Sequence, residues 1–300
     1  SEALAQAHSR LAVEKLEDRL MPTPAATLTG LPAPGAAQPL LGENVSYSFD
    51  FTNTGTTTGY APFIEVAVDT TGEDGDGPGP QVEDGFGTPT VTASGVPLTP
   101  AGSVVVTGPT FVNPITGQTR NVPANFGLGD TIFIYALPFG SFNPTQTSAV
   151  RVTLPTSNLA DLNQPLEFAV TGGYDADNPG LTGPSYYGAT GNTNPLADYS
   201  SQTDARPQLY RLIKRYVGPE SETATGPNYV RRYEIDVDIA SGQTVNNLIV
   251  TDDLAAGMQI VGRDTAVVAG APNVFASTAA GGLGTNAINL LNLTGTAVAT

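Results

Sequence analysis

Residues 69–85 read DTTGEDGDGPGPQVEDG, and Asp69, Glu73, Asp74, Asp76, Glu83 and Asp84 place six carboxylates there with no positive charge among them. Calcium takes about six to eight oxygen ligands, so the stretch is a candidate Ca2+ loop with Asp69, Asp74, Asp76 and Asp84 as its leading ligands. The EF-hand pattern is not met, because with Asp74 first, Pro78 falls where a further ligand belongs. The other reading is a hydrated loop whose glycines and prolines forbid strand. A shorter group, Asp175, Asp177 and Asn178 in GGYDADNPG, poses the same choice.

Two acids at the right separation are all that a glycosidase requires. The chain has no Trp to furnish a broad sugar platform. Tyr186, Tyr187 and Tyr199 can serve either as a substitute glycan-contacting patch or as a packing lid. Cysteine is absent and His8 is the one histidine, so a catalytic triad or a histidine-ligated zinc would have to be built around that residue. These residues predict a protein that is not an enzyme.

Lys214 raises a different question. Alternation places it with Tyr210, Leu212 and Tyr216 on the apolar side of a strand, where an ammonium ion is costly unless paired. Asp252 or Asn247 is a candidate partner. The outcome is either a lysine snorkelling to the strand edge or a Lys214–Asp252 isopeptide bond of the kind some surface Ig-like domains contain.

Net charge is −16, from 28 acidic and 12 basic residues, which disfavours nucleic acid and anionic lipid as partners. No apolar run is long enough to span a bilayer. Placement of charge is more informative than its sum. No Lys or Arg occurs between Arg19 and Arg120, whereas Arg206, Arg211, Lys214, Arg215, Arg231 and Arg232 crowd together. Arg211, Arg215, Arg231 and Arg232 are therefore candidate interface residues, a collar meeting the acidic first domain in the same chain or a neighbour. The alternative is that they are ordinary exposed strand residues.

The elements that would hold these groups follow from periodicity. Residues 1–22 predict a helix, with Val13, Leu16 and Leu20 on one face and Pro22 as its stop. Residues 23–40 read as a Pro/Ala-rich linker. Beyond residue 40 the period becomes two: Val45, Tyr47, Phe49 and Phe51 alternate with Ser46, Ser48, Asp50 and Thr52, and an Asn-x-Gly turn follows. Similar segments recur at PFIEVAV, DTIFIYALP, AVRVTLP and PLEFAVTG. The reading is all-β: two antiparallel Ig-like β-sandwich domains, residues 41–206 and 207–300, the second without a visible ending. SYSFDFTNTGTTTGYAPFIEVAVD and RYEIDVDIASGQTVNNLIVTDDL share one plan of strand, Gly-bearing turn, apolar strand and acidic exit.

NNLIVTDDLAAGMQIVG resembles the centre of a small Ig-like repeat called domain of unknown function eleven, found in tandem on bacterial surfaces, with Ala255 where the repeat usually has proline. LPFGSFNPTQ, SNLADLNQPLEFAVTGGY and YVGPESETATGPNYVRRYEIDVDIASGQTV resemble the N-terminal part of very long secreted surface proteins. LAVEKLEDRLMP is similar to an N-terminal motif of planctomycete envelope proteins. The resemblance implies an extracellular or cell-surface location. It implies location more than activity; the leading functional reading is a structural role in a fibre, sheath or surface layer through self-association into a homopolymer or array, with an adhesin or glycan-binding module as the alternative.

Overall fold

The computed structural model describes residues 23–72, 84–176, 184–188, 199, 201–218, 232–254, 287–292 and 296–298. The helix expected over 1–22 lies outside them, as do Asp74, Asp76, Asp177, Asn178 and Arg231. The described residues are strands and turns. In the first unit these are β1 (Ala26–Thr29), β2 (Asn44–Asn53), β3 (Gly59–Val68), β4 (Thr90–Ala93), β5 (Val96–Leu98), β6 (Gly102–Val105) and β7 (Thr110–Val112). They continue as β8 (Thr119–Asn121), β9 (Thr131–Ala136), β10 (Ser141–Phe142), β11 (Thr147–Pro155), β12 (Leu166–Ala176), β13 (Tyr186–Tyr187) and β14 (Ser201–Ala205). Beyond them lie β15 (Tyr210–Gly218), β16 (Arg232–Ile239), β17 (Thr244–Asn246), β18 (Ile249–Asp253), β19 (Ala287–Asn292) and β20 (Thr296–Val298).

Two antiparallel sheets make the first unit a β-sandwich. One has the order β1-β2-β11-β4-β5; the other runs β13-β12-β3-β9-β6, with β10 on β3 and β14 on β12. Alternation decides which side of β2 and β11 is buried. Val45, Tyr47, Phe49 and Phe51, with Val150, Val152 and Leu154 of β11, enter the core between the sheets. Their exposed neighbours join strands sideways, Ser46 to Thr153 and Thr52 to Thr147, each at 2.9 Å.

The same one-sided pattern fails for β3, β9 and β12, which are buried on both faces. Ile64, Val66 and Val68 face the main core. Ala67, with Ile132, Ile134 and Ala169, belongs to a second cluster containing Val106, Phe111 and Tyr199. The β7–β8 hairpin and its flanks thus cover the outer face of the larger sheet. Two consecutive glycines in β12 are needed because rings press on it from both sides. A Cβ at Gly172 would stand 2.6 Å from the Phe51 ring, and one at Gly173 2.6 Å from that of Phe63.

Residues 23–40 do not form the extended linker expected of their composition. β1 pairs with β2 from Ala26↔Asn53 to Thr29↔Asp50, and Leu28 is buried. Further on, Ala37 and Leu40 make parallel bridges to Ala205 and Gln208. Small residues let the segment lie flat on the sandwich, and its prolines occupy positions that need no ladder donor. Asn53 fastens its start. The buried side chain accepts from Ala25 N and Gly55 N and donates to Thr57 O and Phe142 O.

In both segments that share a sequence plan, the turn carries the chain between ladders. β2 and β3 lie in opposite sheets of the sandwich. β16 pairs with β15, while β18 pairs with β19. Val250 of β18 packs on Ile235 and Val237 of β16, so these two ladders also stack as layers.

Candidate functional site: a buried ion pair, an acidic neck and a clamped junction

Glu65 projects from β3 to the covered outer face, and Arg120 of β8 comes down on it; both side chains are 0% exposed. Arg120 Nε lies 3.0 and 3.1 Å from the two carboxylate oxygens and Nη2 lies 2.9 Å from Oε2, a bidentate pairing. Asn113 donates to Glu65 Oε1 at 2.7 Å while its own Oδ1 accepts from Ile115 N and Thr116 N. The guanidinium stacks 4.1 Å from the centroid of Tyr187, whose hydroxyl lies 2.9 Å from Thr116 Oγ1. Burial opposes the Arg120 charge, but the Glu65 carboxylate outweighs it and holds the guanidinium above its ordinary pKa. Burial, with Glu65 adding to it, pushes the Tyr199 hydroxyl well up.

Tyr186, Tyr187 and Tyr199 are all buried. Tyr187 and Tyr199 lie over Arg120, at 4.1 and 5.9 Å from ring centroid to guanidinium, while Tyr186 enters the main core, so the exposed glycan patch offered as the other reading is not formed. Nothing in the sequence marked Glu65 or Arg120 as partners. The available signal was a carboxylate inside the apolar run PFIEVAV, since a buried acid calls for a cation.

At one end of the sandwich Asp69, Asp84 and Asp130 are buried together with the neck of the acidic loop. Phe86 N donates to Asp69 O and Gly85 N to Thr70 O, closing the neck. Asp69 Oδ1 accepts from Gly72 N at 2.7 Å, and Asp130 accepts from Thr70 N, Thr71 N, Thr71 Oγ1 and Gly127 N. The Asp84 carboxylate sits where a Gly72 Cβ would be, 2.3 Å from that point. Asp69 and Asp84 are therefore brought near one another, while Asp74 and Asp76 fall outside the described residues. Among the described residues no group of three or more acidic or histidine side chains converges on a metal position. The Asp175 carboxylate accepts from Ser185 Oγ at 3.0 Å.

The collar residues divide. Arg211 grips Glu43 of the first unit with two bonds of 3.1 and 3.2 Å and also reaches Asp238 at 3.3 Å. Burial works against the Glu43 charge, yet the Leu40 N–H and Arg211 prevail and hold the carboxyl below its ordinary pKa. Arg215 pairs with Glu234 and Asp236 on its own hairpin, not with the first unit. Arg232 lies in β16 opposite Gly218. Lys214 meets Asp252, Nζ to Oδ1 at 2.6 Å, with the Tyr233 ring 5.0 Å from Nζ.

The passage from β14 to β15 is bonded along its length. Arg206 N donates to Ala37 O, Gln208 N to Pro39 O and Leu41 N to Gln208 O. On the other flank Asn163 N donates to Pro207 O and Gln208 Nε2 to Asn163 Oδ1. Gln243 Nε2 reaches Asn158 O at 3.0 Å, tying the turn after β16 to the first unit.

No protein-family model matches the chain, and neither does any curated protein. Among solved structures it shows distant likeness to AvmM, which catalyzes macrocyclization in alchivemycin A biosynthesis, at 15% identity and TM-score 0.37 over 66% of this chain and 92% of that one. The sixth cohesin of Acetivibrio cellulolyticus scaffoldin B is similar at 10% identity and TM-score 0.26, covering 62% and 99% of the two chains. BcpA, the major pilin subunit of Bacillus cereus, matches at 12% identity and TM-score 0.28, covering 91% of this chain and 56% of the pilin. Likeness this distant assigns neither family nor activity.

Proposed function

We propose that the chain is a non-enzymatic structural protein of the bacterial cell surface or extracellular matrix, working as part of a fibre, sheath or surface layer. The observation that carries this reading is the clamped junction. A passage bonded on both flanks and locked by Arg211–Glu43 transmits force and orientation between units, whereas a binding module on a tether has no use for such stiffness. The second unit is read as an Ig-like sandwich that repeats the plan of the first, and copies associate through domain stacking and lateral contacts at open sheet edges. The burial of Tyr186, Tyr187 and Tyr199 removes the patch on which a glycan-binding alternative rested.

Electron microscopy of cells that make the protein, with antibody labelling, tests the proposal. Regular filaments or a lattice at the surface are expected, with the purified chain forming the same repeat. Label confined to the cytoplasm, or a purified chain that stays monomeric at all concentrations, would overturn it.

A further inference from the structure

Lys214 and Asp252 belong to different ladders. Lys214 stands on β15 opposite Ile235 of β16, and Asp252 shares its face of β18 with buried Val250, which packs on Ile235 and Val237. Their 2.6 Å contact therefore crosses between two stacked layers, and it does so beside apolar side chains and the Tyr233 ring. The Asp252 side chain is 14% exposed and that of Lys214 38%, so the carboxyl is the more shielded of the two partners.

The geometry points to a covalent amide crosslink between Lys214 Nζ and Asp252 Cγ. At this contact distance the carboxyl carbon lies within roughly the 3–3.5 Å of a near-attack approach. The ion pair contains every atom required. The Nζ–Cγ bond forms and one Cγ–O bond breaks, and the departing oxygen leaves as water with two of the three ammonium protons. One positive and one negative charge vanish together, and neither oxidant nor other co-reactant is consumed. The bond closes a 38-residue separation and joins the layers, so tension along the chain bypasses β16 and β17. This crosslink does not depend on the surface-array reading and is tested apart from it.

The test is the intact mass of the purified chain, measured denatured, followed by peptide mapping. The expected result is a mass short by one water, about 18 Da, with a branched peptide joining Lys214 to Asp252. Asp-Gly pairs such as Asp74–Gly75, Asp76–Gly77 and Asp84–Gly85 can lose water as succinimides, so the branched peptide is required. K214R and D252A should each have full mass. The chain has only two lysines, Lys15 and Lys214, so amine labelling under denaturing conditions should modify Lys15 and spare Lys214. A full mass in the unsubstituted chain, a deficit that persists in K214R, or a labelled Lys214 overturns the proposal.

Discussion

Arg120 and Glu65, 55 residues apart in sequence, meet with no solvent between them and with Asn113 completing the carboxylate's bonds. Arg120 is also the first basic residue after the long uncharged-to-acidic stretch that begins past Arg19. The hairpin carrying it covers the outer face of β3 and β9, so the pair pins that cover to the sheet. Arg120→Ala leaves a buried carboxylate without its cation and is expected to cost about 3–5 kcal/mol. Replacing both residues together, Glu65→Leu with Arg120→Met, should cost far less. Urea unfolding of the two variants beside the unsubstituted chain checks this; equal losses in the single and double replacements would contradict it.

Alkaline pH should attack the core. Burial pushes the Tyr135 hydroxyl from 10.0 up to about 12, and it raises Tyr174 and Tyr47 as well, the latter with help from Asp204 and Glu167. The folded chain then holds protons that the unfolded chain releases, so stability is intact below pH 10 and falls as pH rises through the folded values. A thermal-melt series read by tyrosinate absorbance should show melting temperature dropping from about pH 10 upward, with ionisation and unfolding in one step.

The junction should respond to charge reversal without loss of either unit. Arg211 and Glu43 are both more than a third exposed, so Arg211→Glu is expected to cost at most about 1 kcal/mol of stability. Its effect belongs instead to orientation: small-angle scattering should broaden, and Glu43→Arg in the same chain should restore the profile. Because Glu43 titrates below its ordinary value, its contribution is present above the unfolded pKa of 4.5 and is lost as pH falls through the folded one.

Asn53→Ala removes two accepted and two donated bonds from a buried site and should cost on the order of 3 kcal/mol. Hydrogen exchange should localise the loosening to Ala25, Gly55 and the β1 edge.

Alternation is a local property, so VSYSFDF and AVRVTLP by themselves specified strands and named the residues that enter the core. The Asn-x-Gly turn after β2 was legible for the same reason, whereas the face of β15 that carries Lys214 is open, with Tyr210, Leu212 and Tyr216 46%, 51% and 48% exposed. What the chain does with both sides of PFIEVAV and TIFIYA was not legible, because a second buried face exists only once residues 106–130 fold back over the sheet. Composition misled at residues 23–40, where proline and alanine suit an open connector and a flat sheet edge equally well, and β2 is what selects the edge. Carboxylates were visible in the sequence but not their separate fates: tertiary packing buried Asp69, Asp84 and Asp130 at the neck and Glu65 under Arg120, and set a half-buried Asp252 beside Lys214. Pairings over 38 and 55 residues depend on loop closure and layer stacking, which no short window of sequence contains.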